Sequence, residues 1–175
     1  MKKKSINNMV LSALFLALGL ILPSVTGHIP EIGRMLCPMH FPVILCGFLC
    51  GWQYGLIVGF ICPIFRSFLF GMPMLYPMAI GMAFELATYG AVAGLLSKVL
   101  SIDKYVNILI ILIITMVAGR VVWGIAQVIL LGINGEKFTF EAFIAGAILG
   151  SSVGIVLQII IIPPLVMALK KVINK

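Results

Sequence analysis

From about the sixth residue onward the chain is a succession of long apolar runs, separated by short clusters of Gly, Pro and charged residues. A run of about 20 apolar residues, rising about 1.5 Å per helical residue, spans a hydrocarbon core. On that pattern the runs place helices at 6–23, 39–51, 54–71, 76–98, 105–132 and 140–169. The second run is too short to cross alone. It and the third flank "GWQYG", so the pair can make a partly crossing hairpin, which is tolerated where protein surrounds the irregular backbone. The predicted fold class is an all-α integral membrane protein: six transmembrane helices with a short second helix and a long outer first loop, in a single domain covering 1–175.

Composition narrows this further. Apolar residues make up 62% of the chain and charged ones 10%, against about 25% charged in a soluble domain. Six spans use the whole length, so any ATPase that serves the protein is another chain. The start, "MKKKSINNMVLSALFLALGL", imitates a signal peptide, but no A-x-A-like site follows, and the first helix reads as retained. Cys37, Cys46, Cys50 and Cys62 include no C-x-x-C pair and read as small apolar packing residues rather than a metal or redox site.

The net charge of +7 follows topology. Lys2, Lys3, Lys4, Lys98, Lys104, Lys170, Lys171 and Lys175 fall on one side of the predicted bundle, and Arg34 and Lys137 on the other. The positive-inside rule then places both termini in the cytoplasm, with no nucleic-acid partner implied. The outer side carries "SVTGHIPEIGRMLCPMH", "GMPMLYP" and "GINGEKFTFE", turn-rich loops of the kind that hold binding contacts between rigid helices. "GFLCG" at 47 and "GFICP" at 59 are too short to be a repeat and read as two small-residue faces that pack closely.

Charges inside the spans are the candidate chemistry. Counted inward from the outer ends, Glu85 lies about 13 Å down the fourth helix and Arg120 about 18 Å down the fifth. Opposite charges buried at similar depth on sequence-adjacent helices are candidates for one ion pair. The pair either pins two helices together or borders a binding cavity. Arg120, Trp123 and Gln127 share a face at i, i+3, i+7 spacing, and Tyr89 lies one turn from Glu85, giving a small polar cluster in an apolar wall. Arg66, about 8 Å below the outer end of the third helix, either snorkels to the interface or offers its fork to a carboxylate or phosphate. His40 reads as a hydrogen-bonding group at the outer start of the second helix. With His28 the only other histidine, no metal site is expected. The candidate substrate-binding set is therefore Arg66, Glu85, Arg120, Trp123, Gln127 and His40. There is no G-x-x-x-x-G-K-[ST] and no H-E-x-x-H; "GSSVG" at 150–154 has no histidine near it and reads as packing residues. No enzymatic activity and no cofactor are expected of this chain.

Ala13 and Ala17 lie four apart on one face of the first helix. Together with "PMHFPVILCGFLCG", "LFGMP" and "MAFELATYG", they make the chain resemble the substrate-binding S component of energy-coupling factor (ECF) vitamin transporters, in a branch with members assigned to pantothenate and to cobalamin. The resemblance covers nearly the whole chain. It implies that the face of Ala13 and Ala17 docks on a transmembrane coupling subunit, that two ATPase subunits supply energy from ATP, and that the S component topples in a prokaryotic plasma membrane to carry its site inward. Substrate residues vary within that family, so none transfers by motif.

Two other classes fit the composition. A small proton-coupled exporter would need Glu85 to titrate, which a cationic partner at equal depth opposes. A non-transporting scaffold explains an ion pair but not the long outer loop. Thermal stabilisation by a vitamin separates the three. On charge, an Arg66 facing an outer cavity is an unneutralised cation, because Glu85 cancels Arg120 while Glu31, Glu136 and Glu141 lie in or beside screened loops. That favours a small carboxylate-bearing vitamin, pantothenate, over the bulky corrinoid.

Overall fold

The structure is a computed structural model describing residues 2–25, 35–147 and 149–173. All secondary structure among these residues is helical: α1 (Lys2–Val25), α2 (His40–Cys50), α3 (Trp52–Phe70), a π-helical turn (Leu75–Ala79) that runs into α4 (Ile80–Val99), α5 (Tyr105–Ile133), α6 (Phe140–Ala147), a 3-10 turn (Leu149–Ser151) and α7 (Ser152–Ile173). Five helical segments, Ser5–Ser24, Trp52–Phe70, Leu75–Val99, Tyr105–Ile133 and Ser152–Val172, are long and apolar enough to cross a membrane, and His40–Cys50 is a shorter apolar helix. Helices answer the need of a lipid-embedded backbone to bond within itself. Their ends fall where the chain can turn: Gly51, at φ +99, makes the corner between α2 and α3, and Gly71, at φ +69, closes α3 with its N–H on the Ser67 carbonyl.

α2, α3 and α4 form one tightly seated unit because glycines let their backbones touch. A Cβ added at Gly90 would overlap the Gly55 carbonyl, at Gly59 the Leu86 carbonyl, and at Gly94 the backbone of Trp52. Small residues at such crossings supply close van der Waals contact where lipid offers no hydrophobic drive between helices. The faces of Gly47 and Gly59 do pack this way, Gly47 against Gly90. α5 docks onto α4 by receiving the Tyr89 ring at Gly119, and Gly154 of α7 lies against the backbone of Met35 and Leu36. Val43, Ile44, Leu86, Ile108, Ile111, Leu112 and Ile162 fill the interior, while Val117, Val121, Ile125 and Val128 of α5 face outward, as a lipid-facing stripe must.

One end of the bundle gathers the lysines. There Asn8 donates to the Cys50 carbonyl at 3.2 Å, and Lys170 of α7 pairs with Asp103, in the turn between α4 and α5, at 2.7 Å. Hydrogen bonds from Lys170 and Ser101 hold the Asp103 carboxyl below its ordinary value. The contact is exposed and links two chain segments without weighing heavily on stability.

Two expectations change. The predicted sixth helix, 140–169, is not continuous: it breaks between α6 and α7. The sequence there, "GAILGSSVG", combines glycines and serines, which are poor helix formers because of backbone entropy and competing side-chain hydrogen bonds. The second correction concerns His40, which does not mark the outer end of the bundle. Met35 and Leu36 already lie inside the bundle against Gly154, a turn closes with the His40 N–H on the Cys37 carbonyl at 3.0 Å, and α2 starts near mid-bundle beside Glu85. Its eleven residues then cover only about 16 Å to the lysine-rich end. Of the long first loop, residues 26–34, with His28, Glu31 and Arg34, lie outside the described residues.

Candidate functional site

The buried charges of α4 and α5 meet at the centre of the bundle. Arg120 Nη1 lies 2.8 Å from Glu85 Oε1, and the Glu85 side chain is 2% exposed. Depth counting anticipates this pairing, since helices that share a loop bring residues at equal depth together. The Tyr89 hydroxyl, one turn along α4, donates to the same Oε1 at 3.0 Å. His40 Nε2 stands 3.7 Å from it, an electrostatic contact longer than a hydrogen bond, with its ring 5.3 Å from that of Tyr89. Neither ring nitrogen of His40 nor Arg120 Nε has a hydrogen-bond partner among the described residues.

Two partners of Arg120 escape a reading of the sequence. Arg120 Nη2 donates to Ser151 Oγ at 2.8 Å, and Ser151 in turn donates to the Ala147 carbonyl at 3.0 Å. The helix break thus carries a hydroxyl that accepts from the guanidinium. The signal was available, because Ser151 lies eleven residues beyond Phe140, about 16 Å in, close to the depth of Arg120. Cys37 also reaches Arg120. It is buried and holds a left-handed backbone at φ +48, a conformation that costs a non-glycine residue energy and gathers at functional sites. No pattern in the sequence marks it.

The other candidates stand apart. Trp123 and Gln127 lie further along α5, away from the lysine-rich end: Trp123 packs edge-on to Phe138 at 5.8 Å and beside Phe143 at 6.1 Å, with Gly146 making room for its ring, and the Gln127 amide lies against Gly81. Next to them Tyr76 donates to the Leu130 carbonyl. Arg66 faces α1 instead of the Glu85 cluster. Its Nη1 donates to the Leu20 carbonyl and, at 3.3 Å, to Ser24 Oγ, and the guanidinium sits 4.9 Å from the centre of the Phe70 ring. A cation on the last turn of α1 complements the negative end of the helix dipole. Ala13 and Ala17 are exposed on the outer face of α1, beside the exposed Val10, Leu14, Leu18 and Ile21. Two clefts, one lined by Ser5, Asn8, Trp52 and Lys98 and one by Asp103, Lys170 and Lys171, lie at the lysine-rich end and contain none of the candidate residues.

An apolar bundle with a charged cluster at its centre is an arrangement that transport proteins and membrane scaffolds share, and the comparison with known families decides between them. A family model described as ECF transporter, substrate-specific component matches residues 7–166. The chain belongs to that family. Curated proteins and solved structures gave no match. ECF substrate-specific components are transporter subunits and not enzymes themselves, and their family implies partnership with an ECF module made of a T component and ATPases. In this substrate-specific component the matched region contains every candidate residue, from Ala13 to Gln127, as well as Cys37 and Ser151.

Proposed function

We propose that the chain captures a small carboxylate-bearing vitamin, pantothenate, on the outer side of a prokaryotic plasma membrane and releases it to the cytoplasm with energy from ATP hydrolysed by its partner subunits. The lysine-rich end is the cytoplasmic one, which puts both termini inside. The observation that carries the substrate class is the charge inventory. Glu85 is committed to Arg120, while Arg66, 4% exposed, is a buried cation that makes no salt bridge among the described residues, in the half of the bundle away from Lys170 and Lys171. An anionic ligand balances that charge, and Trp123, Gln127 and Tyr76 lie in the same half to frame its polar and apolar parts. Calorimetry on the purified chain tests this: pantothenate binding with no response to cobalamin supports it, and the reverse result replaces pantothenate by the corrinoid.

Arg66→Gln is expected to weaken pantothenate binding by tenfold or more, through loss of a charge-assisted contact in a desolvated site. It also removes the tie to α1, so ligand-free stability should fall by about 1.5–3 kcal/mol. A fall in stability with affinity unchanged would reduce Arg66 to a helix tie.

The exposed alanine face supports a partner role for α1. Ala17→Trp is expected to abolish uptake in a reconstituted transporter while leaving ligand affinity unchanged, because close helix approach needs small side chains and Ala17 lies far from the Glu85 cluster. Normal transport by that variant would move the docking surface elsewhere.

A further inference from the structure

On the lysine-rich side of the ion pair, the bundle carries a second set of polar side chains whose hydrogen-bonding capacity is not used. Gln158 in α7 is 1% exposed, and neither its amide nitrogen nor its amide oxygen has a hydrogen-bond partner among the described residues. The same is true of Thr115 Oγ1 in α5, 0% exposed, and of both ring nitrogens of His40. Buried polar side chains are bonded in the large majority of cases, to protein, to water or to a ligand.

Counting along the helices puts Gln158 and Thr115 at similar depth, below the ion pair. Ser151 marks the level of Arg120 through their hydrogen bond. Gln158 comes seven residues further along α7, about 10 Å deeper, and Thr115 five residues back along α5, about 8 Å deeper. The His40 ring reaches from Glu85 toward Tyr89, which is one turn deeper on α4. Ser151, Gly154 and Gln158 follow i, i+3, i+7 spacing and share the inner face of α7. α7 packs on α2 and α5 and meets Met35 and Leu36 at Gly154.

The chemistry of an open glutamine amide selects its partner. It offers donors on one side and an acceptor on the other, so a group that both donates and accepts satisfies it, whereas a carboxylate accepts from the amide nitrogen but has no donor for the amide oxygen. We propose that Gln158 is the floor of the binding site and takes a neutral amide or hydroxyl group of the substrate, leaving the anionic end toward the arginines. This rests on the reading of the chain as a pantothenate-binding subunit; pantothenate carries an amide, hydroxyls and a carboxylate in one molecule.

The test compares wild type with Gln158→Leu in detergent, measuring the ligand-free melting temperature and pantothenate affinity by calorimetry. An unused amide predicts that the variant melts at or above the wild-type temperature, since an unbonded polar group has been replaced by an apolar one, and that it binds pantothenate at least tenfold more weakly. Unchanged affinity overturns the proposal. So does a ligand-free melting temperature lowered by about 5 °C or more, which would mean that protein or an ordered water already holds the amide. Wild-type protein that binds no pantothenate sinks the substrate assignment instead. That result is distinct from unchanged affinity or a lowered melting temperature in the variant, which overturn the floor alone.

Discussion

Arg120→Met lowers the stability of the bundle by about 3–5 kcal/mol, the cost of leaving a buried charge without its partner. After the substitution, Glu85, still 2% exposed, keeps only the Tyr89 hydroxyl at 3.0 Å and His40 at 3.7 Å, while Ser151 loses the donor that approaches it across the helix break. Glu85→Leu is expected to cost less, because the guanidinium keeps Ser151 and is partly exposed, at 15%. The double variant should recover part of the loss, since two charges that no longer need desolvation are replaced by apolar groups. Unfolding of the four proteins in detergent gives the coupling energy. A coupling near zero would show that the two charges are solvated separately and would remove the ion pair from any account of the site.

Gly90→Val is expected to destabilise by about 3 kcal/mol or more, at the upper end of the overpacking range. A Cβ there would overlap the Gly55 carbonyl, and that obstacle is backbone, which no rotamer change can move aside. The added branches then force α3 and α4 apart along the seam that Gly59 and Gly94 also line. Gly132→Ala serves as the control. Nothing lies within 4 Å of a Cβ at Gly132, and alanine is the better helix former, so stability should hold or rise slightly. Similar losses at both positions would mean that the seam is looser than described and that glycine serves there only by its flexibility.

The sequence shows its helices plainly because membrane spans are set by one quantity, the length of an apolar run. It shows the Glu85–Arg120 pair because depth along a helix follows from residue count. It fails where position depends on backbone that is not helical. His40 sits at the boundary of an apolar run and so reads as an end, yet the residues just before it already lie inside the bundle, Met35 and Leu36 against Gly154, and no hydropathy value marks that placement. Ser151 lies inside an apolar stretch long enough for one helix, and the break appears only when the serine is paired with a guanidinium from another helix. Arg66 has the right depth for a cavity wall, but which neighbour its side chain meets depends on helix rotation, which its near-uniform apolar surroundings leave undetermined.

The mid-bundle start of α2 also bears on the order of events during synthesis. A helix of eleven residues is too short to be held across a bilayer by its own greasiness, so residues 35–50 depend on protein for their seat. α1 supplies one side through Asn8 on the Cys50 carbonyl, and the rest is built from later parts: Gly90 of α4 for Gly47, Glu85 for His40, Arg120 of α5 for Cys37, and Gly154 of α7 for Leu36. A nascent chain arrested before residue 120 should therefore leave Cys37 open to a thiol reagent that cannot reach it in the finished protein, and protection should appear only when α5 and α7 have been delivered to the membrane. The centre of the molecule, although encoded early, is walled in by helices encoded after it.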